Sequence, residues 1–350
     1  MNIEKYDINK NKYIFPDFIL DCENNDETVY ITGSAGSYHV LMICRLFLSC
    51  NNPIFIFVRD SKCAEILAHE CASFLGEESV ALFPSKDAIP YNLKSPFGPT
   101  VETRIRVLSQ LMNGEKKIFI APSVTLIQKI IPQKQLFDKI IRLNTGDEIS
   151  MEKLTEWLYE NGFHRETMVQ DIGEFSIRGG IVDVYPFLIS NPVRFEFWGD
   201  CIESIREFDV FKQKSLKQRR TVNIFPMKEF IFTNIQIEKA LEKINTFCKE
   251  RNDFFEWALK LTHKWKSHAD HDGIEWFFHW FDCSCETILD YLPHDCCVIW
   301  NDDFSIEQRL AENVDKYENN LKRVPETFLP FITKVESLLV PVNIVCDDLS

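Results

Sequence analysis

The sequence has no run approaching the roughly 18 uninterrupted apolar residues that a membrane span requires. Its first stretch, MNIEKYDINKNKY, is polar and lacks the apolar segment of a secretory signal. Together these absences predict a cytoplasmic protein. The spacing of a structural zinc site is also missing. Cys283-Ser-Cys285 and the adjacent pair Cys296-Cys297, with His294 nearby, depart from the C-x₂₋₄-C pattern. The 12 cysteines are scattered and mostly sit in apolar contexts, Cys44, Cys50, Cys63 and Cys71 among them, as reduced core thiols do. His268-Ala-Asp270-His271-Asp272 reads either as a metal-binding cluster or as an exposed polar loop. No serine stands in a nucleophile elbow, and the carboxylate pairs Glu77-Glu78 and Asp302-Asp303 fall in turns. There is no internal repeat and no low-complexity segment. No enzyme, metal or cofactor is expected of this chain.

What is present is acid. The formal net charge is −14 over 350 residues, a field that repels nucleic acid phosphates. The local exception is a basic cluster, Lys212, Lys214, Lys217, Arg219 and Arg220. It reads either as a solvated strand connection or as a phosphate-contact site.

The first third alternates strands with helices. Thr28–Thr32 reads as a strand, followed by a helix from Tyr38 to about Leu48. Ile54–Val58 is a continuous apolar run, the pattern of a strand buried on both faces. Ser61 is placed to cap the next helix, which stops at Gly76. Further strands are expected at Val80–Phe83 and Lys117–Ala121, with helices at Thr100–Met112 and Ser123–Ile131. This order predicts a parallel α/β sheet. Past Pro132 the character changes. Ser150 caps a helix carrying Leu154, Trp157 and Leu158, and a strand-rich stretch follows up to Pro226. Helices return at Ile235–Phe247 and Asp253–Trp265, then a strand at Cys297–Trp300 and a helix from Ser305 to about Leu321.

The turn GSAGSYHV, residues 33 to 40, sits where a P-loop would sit. A working P-loop also needs a lysine at the β/γ-phosphates and a Ser/Thr hydroxyl for Mg²⁺. Tyr38, His39 and Val40 follow Ser37 instead. Gly33, Gly36 and Ser37 are therefore read as a structural turn rather than a nucleotide site.

The chain is organised around Gly173–Phe211. Short runs there alternate apolar and polar residues, and Gly179-Gly180, Asn191-Pro192 and Gly199-Asp200 separate them. In Val193–Trp198, period 2 puts Val193, Phe195 and Phe197 on one face and Arg194, Glu196 and Trp198 on the other. Arginine and tryptophan are the side chains most enriched at binding hot spots. Trp198 thus either faces a partner or is tucked under a neighbouring loop.

These residues resemble the UvrB-homology module of the transcription-repair coupling factor family. The resemblance is carried by Asp87-Ala-Ile-Pro90-Tyr91 with Ser95-Pro96, by Gly173-Glu-Phe-x-x-Arg178-Gly179, and by Asp183-x-Tyr185-Pro186. It continues through Arg194-x-Glu196-Phe197, Gly199-Asp-x-x-Glu203-Ser-Ile-Arg206, Phe208-Asp209 and Gly273-Ile-Glu275-Trp276. UvrB shares the central block, but it has an intact P-loop and an inserted hairpin for which residues 91–102 leave no room.

The resemblance implies a RecA-like α/β domain that keeps the nucleotide-binding fold without the nucleotide, interrupted by a small α+β domain with an antiparallel sheet. The implied division is a leader at 1–24, a first α/β part at 25–135 and the UvrA-interaction domain at 136–226. A part completing the first domain, 227–335, and the start of a linker, 336–350, complete it. It further implies a non-catalytic adaptor that recruits UvrA to stalled RNA polymerase, through Arg178, Arg194 and Trp198. Arg178 enters this set only through the resemblance, since the turn at Gly179 leaves its direction open. The family's aromatic is typically phenylalanine, so Trp198 is a departure. RNA polymerase, double-stranded DNA, ATP and Mg²⁺ belong in the family to further domains, expected beyond Ser350. The alternatives are a divergent NTPase or helicase half and a DNA-binding module.

Overall fold

Ile54–Val58 is buried along its whole length because its alternate side chains feed two separate cores. A computed structural model of the chain describes residues 36–86, 89–91, 98–230, 232–249, 255–266, 273–281, 284–326 and 329–339. The predicted strand at Thr28–Thr32, Gly33 of the turn and the cluster at His268–Asp272 lie outside them.

In chain order the first part comprises α1 (Tyr38–Ser49), β1 (Ile54–Val58), α2 (Ser61–Leu75), β2 (Val80–Leu82), α3 (Gly98–Met112) and β3 (Ile118–Pro122). A second group follows: β4 (Ile141–Asn144), α4 (Met151–Glu160), β5 (His164–Arg165), β6 (Glu174–Arg178), β7 (Ile181–Val184), β8 (Val193–Trp198), β9 (Cys201–Phe208), β10 (Ser215–Arg219) and β11 (Thr221–Ile224). The chain then forms α5 (Asn234–Lys249), α6 (Phe255–Lys266), β12 (Cys297–Asn301) and α7 (Asp303–Leu321).

The first and last groups share one parallel sheet, ordered β12-β1-β3-β2. β1 pairs with β3 on one side and with the distant β12 on the other, Ile54 opposite both Ile118 and Cys297. Ile54, Ile56, Val58, Ile118 and Ile120 pack under α1 and α2. Phe55, Phe57 and Phe119 face the opposite core, with α3, α5 and α7. A strand covered on both faces has no reason to alternate, and so the sequence reads IFIFV.

Two local expectations change. Asp60, not Ser61, caps α2: its Oδ1 accepts from Cys63 N at 3.0 Å, leaving Ser61 as the first helical residue. The helix expected over Ser123–Ile131 covers only Val124–Ile127. Gln128 turns extended, and Ile130 instead exchanges backbone hydrogen bonds with Glu286. Ser150 does cap α4, accepting from Lys153 N at 3.2 Å.

Between β3 and β12 lies a six-stranded sheet, β10-β9-β8-β7-β6-β5, antiparallel except where the two-residue β5 meets β6. The chain is thus an α/β fold whose parallel sheet is interrupted by an antiparallel unit. β4 and β11, at the entry and exit of that unit, pair with each other in an antiparallel ribbon. Leu154 and Leu158 of α4 pack with Leu143 and Val222 of the ribbon onto Phe175, Val182, Phe195, Phe197 and Ile205 of the sheet. One sheet face is closed in this way.

Helix α3 ties the unit to the parallel sheet. Its Val101 and Ile105 pack on Phe187 and Phe225. Its fully buried Arg104 donates from Nε to Glu229 Oε2 at 2.8 Å, and from Nη1 to the Pro84 carbonyl at 2.6 Å. Lys86 Nζ lies 3.5 Å from the same carboxylate. Burial alone would raise the Glu229 carboxyl, but the charges of Arg104 and Lys86 outweigh it and hold the group below its ordinary range. No helix among the described residues is long and apolar enough to cross a membrane.

Candidate protein-binding face

The second face of the antiparallel sheet carries polar side chains in register. Cross-strand neighbours share a face, so Ser176, Asp183, Arg194, Arg206 and Gln218 form one row across β6 to β10. Arg178, Ile181, Glu196 and Ser204 form the next. The alternation along β8 is as expected: Val193, Phe195 and Phe197 are buried, Arg194 and Glu196 half-buried, Trp198 exposed. The register shift opposite Glu196 and Phe197 falls on β9, where Glu203 is the extra residue, and leaves the pleat of β8 intact.

Asp183 organises the face. It is 1% exposed, yet its two oxygens receive both arginines. Arg194 donates from Nε to Oδ1 at 2.7 Å and from Nη2 to Oδ2 at 2.8 Å. Arg178 donates from Nη2 to Oδ2 at 2.9 Å. The hydrogen bond to Asp183 raises the Arg194 guanidinium above its ordinary value. Arg194 also lies 4.5 Å over the Phe208 ring and reaches Gln213 Oε1 at 3.2 Å. Only 15% of its side chain is exposed, against 48% for Arg178. Alongside, Glu196 accepts from Ser204 Oγ at 2.6 Å and pairs with Arg206.

Arg178 closes β6 at the two-glycine turn into β7. Gly179 holds φ +58°, where a side chain is disfavoured. Gly180 passes so close to β8 that a Cβ there would stand 2.9 Å from the Phe197 carbonyl oxygen. The turn therefore packs directly on the backbone preceding Trp198, which is 80% exposed at the end of its strand. Trp198 is not tucked under a loop.

The remaining sites of interest separate. Gly36 has φ +60° and Ser37 occupies the cap position of α1 without a side-chain cap bond, while His39 Nδ1 lies 2.8 Å from the Gly36 carbonyl oxygen. Cys296 is pushed up to about 12 by burial, and Cys283 lies outside the described residues. Among the described residues, no group of three or more His, Cys, Asp or Glu is placed to hold a metal ion. Lys212 to Arg219 fall on the β9–β10 loop and the edge strand β10, with Arg219 paired to Glu207, and Arg220 stands between β10 and β11. Sequence reading did not single out Asp183 as a hub, nor Phe211, which is 96% exposed. Both left a signal: a lone acid inside the apolar strand IVDV, and an aromatic at the head of a basic run.

The sheet, its helix-backed face and its open arginine and tryptophan face define a class. A family model for the UvrB interaction domain matches residues 141–230, from the first residue of β4 to just beyond β11. The chain carries that domain. Over 300 residues it is 32% identical to the transcription-repair-coupling factor of Bacillus subtilis (strain 168), covering 82% of this chain and 25% of that protein. The transcription-repair-coupling factor of Staphylococcus aureus (strain MSSA476) is 27% identical over 304 residues, 83% of this chain and 26% of the relative. The chain is a relative of the transcription-repair-coupling factors and spans about a quarter of their length.

Proposed function

We propose that this chain is a non-catalytic adaptor that recruits UvrA through the open face of its antiparallel sheet, in transcription-coupled DNA repair. In this reading residues 136–226 are the recruiting domain, and 25–135 with 227–335 are its scaffold. Trp198 fills an apolar recess on UvrA and Arg178 meets an acidic group beside it. Arg194 contributes mainly by holding Asp183, and through it Arg178. RNA polymerase, double-stranded DNA and the ATP-driven step with Mg²⁺ belong to other parts of such a machine, in the cytoplasm.

One observation carries the reading. Within the segment matched by the UvrB interaction domain, an 80%-exposed tryptophan ends a strand of the face on which a buried carboxylate fixes two arginines. Leaving a large aromatic in water at a fixed position is unfavourable unless a partner covers it. Titration of purified UvrA into the protein tests this. Binding by the wild type, weakened about 30-fold by Trp198→Ala with unchanged melting, supports the proposal. Equal binding by the variant overturns the assignment of the face.

A further inference from the structure

We propose that the β9–β10 loop is a second anchor of this same face, inserting Phe211 into the partner while Lys212 and Lys214 meet carboxylates around the recess. The inference rests on the reading of the face as the UvrA site and extends its footprint.

The loop is built, not slack. Asp209 Oδ1 accepts from the backbone N–H of Phe211 at 3.0 Å and of Lys212 at 2.7 Å. Gln213 N donates to the Asp209 carbonyl at 2.8 Å, and Asp209 N to the Lys214 carbonyl at 2.9 Å. Gln213 takes φ +55°, and its Nε2 donates to the Val210 carbonyl at 2.8 Å. Such a closed turn could point its apolar residue inward, yet Phe211 is 96% exposed. Its position is also tied to the candidate face, because Gln213 Oε1 accepts from Arg194.

Charge selects the partner chemistry. Residues 211–220 read FKQKSLKQRR, five cations and no acid in a chain of net charge −14. Lys212, Lys214 and Arg220 are exposed, and none forms an ion pair among the described residues. An aromatic flanked by free ammonium groups fits an apolar recess ringed by Asp and Glu on a protein.

Size points the same way. A stable protein interface takes about 800 Å² from each partner, roughly 20 to 30 residues. Trp198 and Arg178 fall far short of that. Trp198 lies beside the β8–β9 turn, opposite Cys201, whereas the loop follows Phe208 at the other end of β9. At about 3.3 Å per residue the two are on the order of 20 Å apart. Anchors at both ends give the face the span of a standard interface.

The test uses the whole chain, UvrA, Phe211→Ser, and the double variant Lys212→Glu with Lys214→Glu. Each is expected to weaken UvrA binding about tenfold, with unchanged melting. The lysine variant is also expected to flatten the salt dependence of the association rate. Wild-type affinity in both loop variants, with Trp198→Ala still weakened, overturns the loop and leaves the face. Loss of binding to a short single-stranded oligonucleotide with UvrA affinity intact overturns it in favour of nucleic acid. Absence of UvrA binding by the wild type removes both proposals.

Discussion

Arg194 and Asp183 are joined side by side across two strands, Nε to Oδ1 at 2.7 Å and Nη2 to Oδ2 at 2.8 Å, with the carboxylate 1% exposed. A two-point fork of this kind fixes both geometry and charge. The two arginines of the face are therefore not equivalent, and substitution separates them. Arg194→Ala strands a buried carboxylate with one partner and is expected to cost about 3 kcal/mol of stability. Arg194→Lys recovers only part of this, since an ammonium cannot form the fork. Arg178→Ala removes a half-exposed partner and is expected to cost less than about 1 kcal/mol. Urea unfolding of the three variants checks the order.

Trp198 is the cleaner probe of binding. Its side chain leaves the sheet, so Trp198→Ala is expected to change stability by no more than about 0.5 kcal/mol. The same change is expected to remove about 2 kcal/mol of UvrA affinity. Trp198→Phe keeps an apolar plate and is expected to retain most of the binding. Calorimetric titration beside thermal melting reads both quantities.

Gly180 and Gly179 are adjacent and differ in what they resist. A methyl group at Gly180 meets the Phe197 carbonyl oxygen at 2.9 Å, so Gly180→Ala must push β7 and β8 apart. Overpacking of this sort is expected to cost about 1 to 3 kcal/mol. At Gly179 nothing lies within 4 Å of the added carbon, and only its φ of +58° resists. Gly179→Ala is expected to cost about 1 kcal/mol. Of the two, Gly180→Ala alone should disturb the Trp198 end of β8, visible as a shift in tryptophan fluorescence against the unchanged spectrum of Gly179→Ala.

The Glu229–Arg104 pair predicts an acid-sensitive joint. The folded Glu229 carboxyl lies below its ordinary 4.5 despite burial, because Arg104 and Lys86 stabilise the anion. A depressed carboxyl contributes stability that is present above the unfolded value and lost as pH falls through the folded one. Chemical unfolding should therefore show stability declining as pH falls below about 4.5. Glu229→Gln should flatten that part of the profile. Glu229→Ala leaves Arg104 buried without its anion and is expected to cost about 3 to 5 kcal/mol at neutral pH.

Much of this architecture is legible in the sequence because burial imposes periods. IFIFV has the pattern of a doubly covered strand, and VRFEFW declares its faces by alternation, as the burial of β1 and β8 shows. What stayed illegible depends on register. Asp183 becomes a hub only when β7 aligns it with Arg194, and no local pattern sets that pairing. Arg178 follows a strand into a glycine turn, so its direction awaited the pairing of β6 with β7. The local pattern extends a helix over Ser123–Ile131, yet only Val124–Ile127 is helical, because Ile130 bonds Glu286, a partner far along the chain. Phe211 ends the stretch Gly173–Phe211 and carries no expectation of its own, since exposure in a loop leaves no periodic trace.

β1 sits between β3 and β12, and β12 enters the chain well over two hundred residues after β1. A ribosome adding about 5 to 20 residues each second needs on the order of ten seconds or more to cover that gap. Throughout it, one edge of a strand made only of Ile, Phe and Val has no neighbour. The whole antiparallel unit emerges in the interval, and its exit strand β11 must come back to β4 before the chain can reach β12. Completion of the parallel sheet is thereby a late event in the life of each molecule, and an unmade antiparallel unit leaves behind an open, apolar edge of the kind on which other chains pair and aggregate.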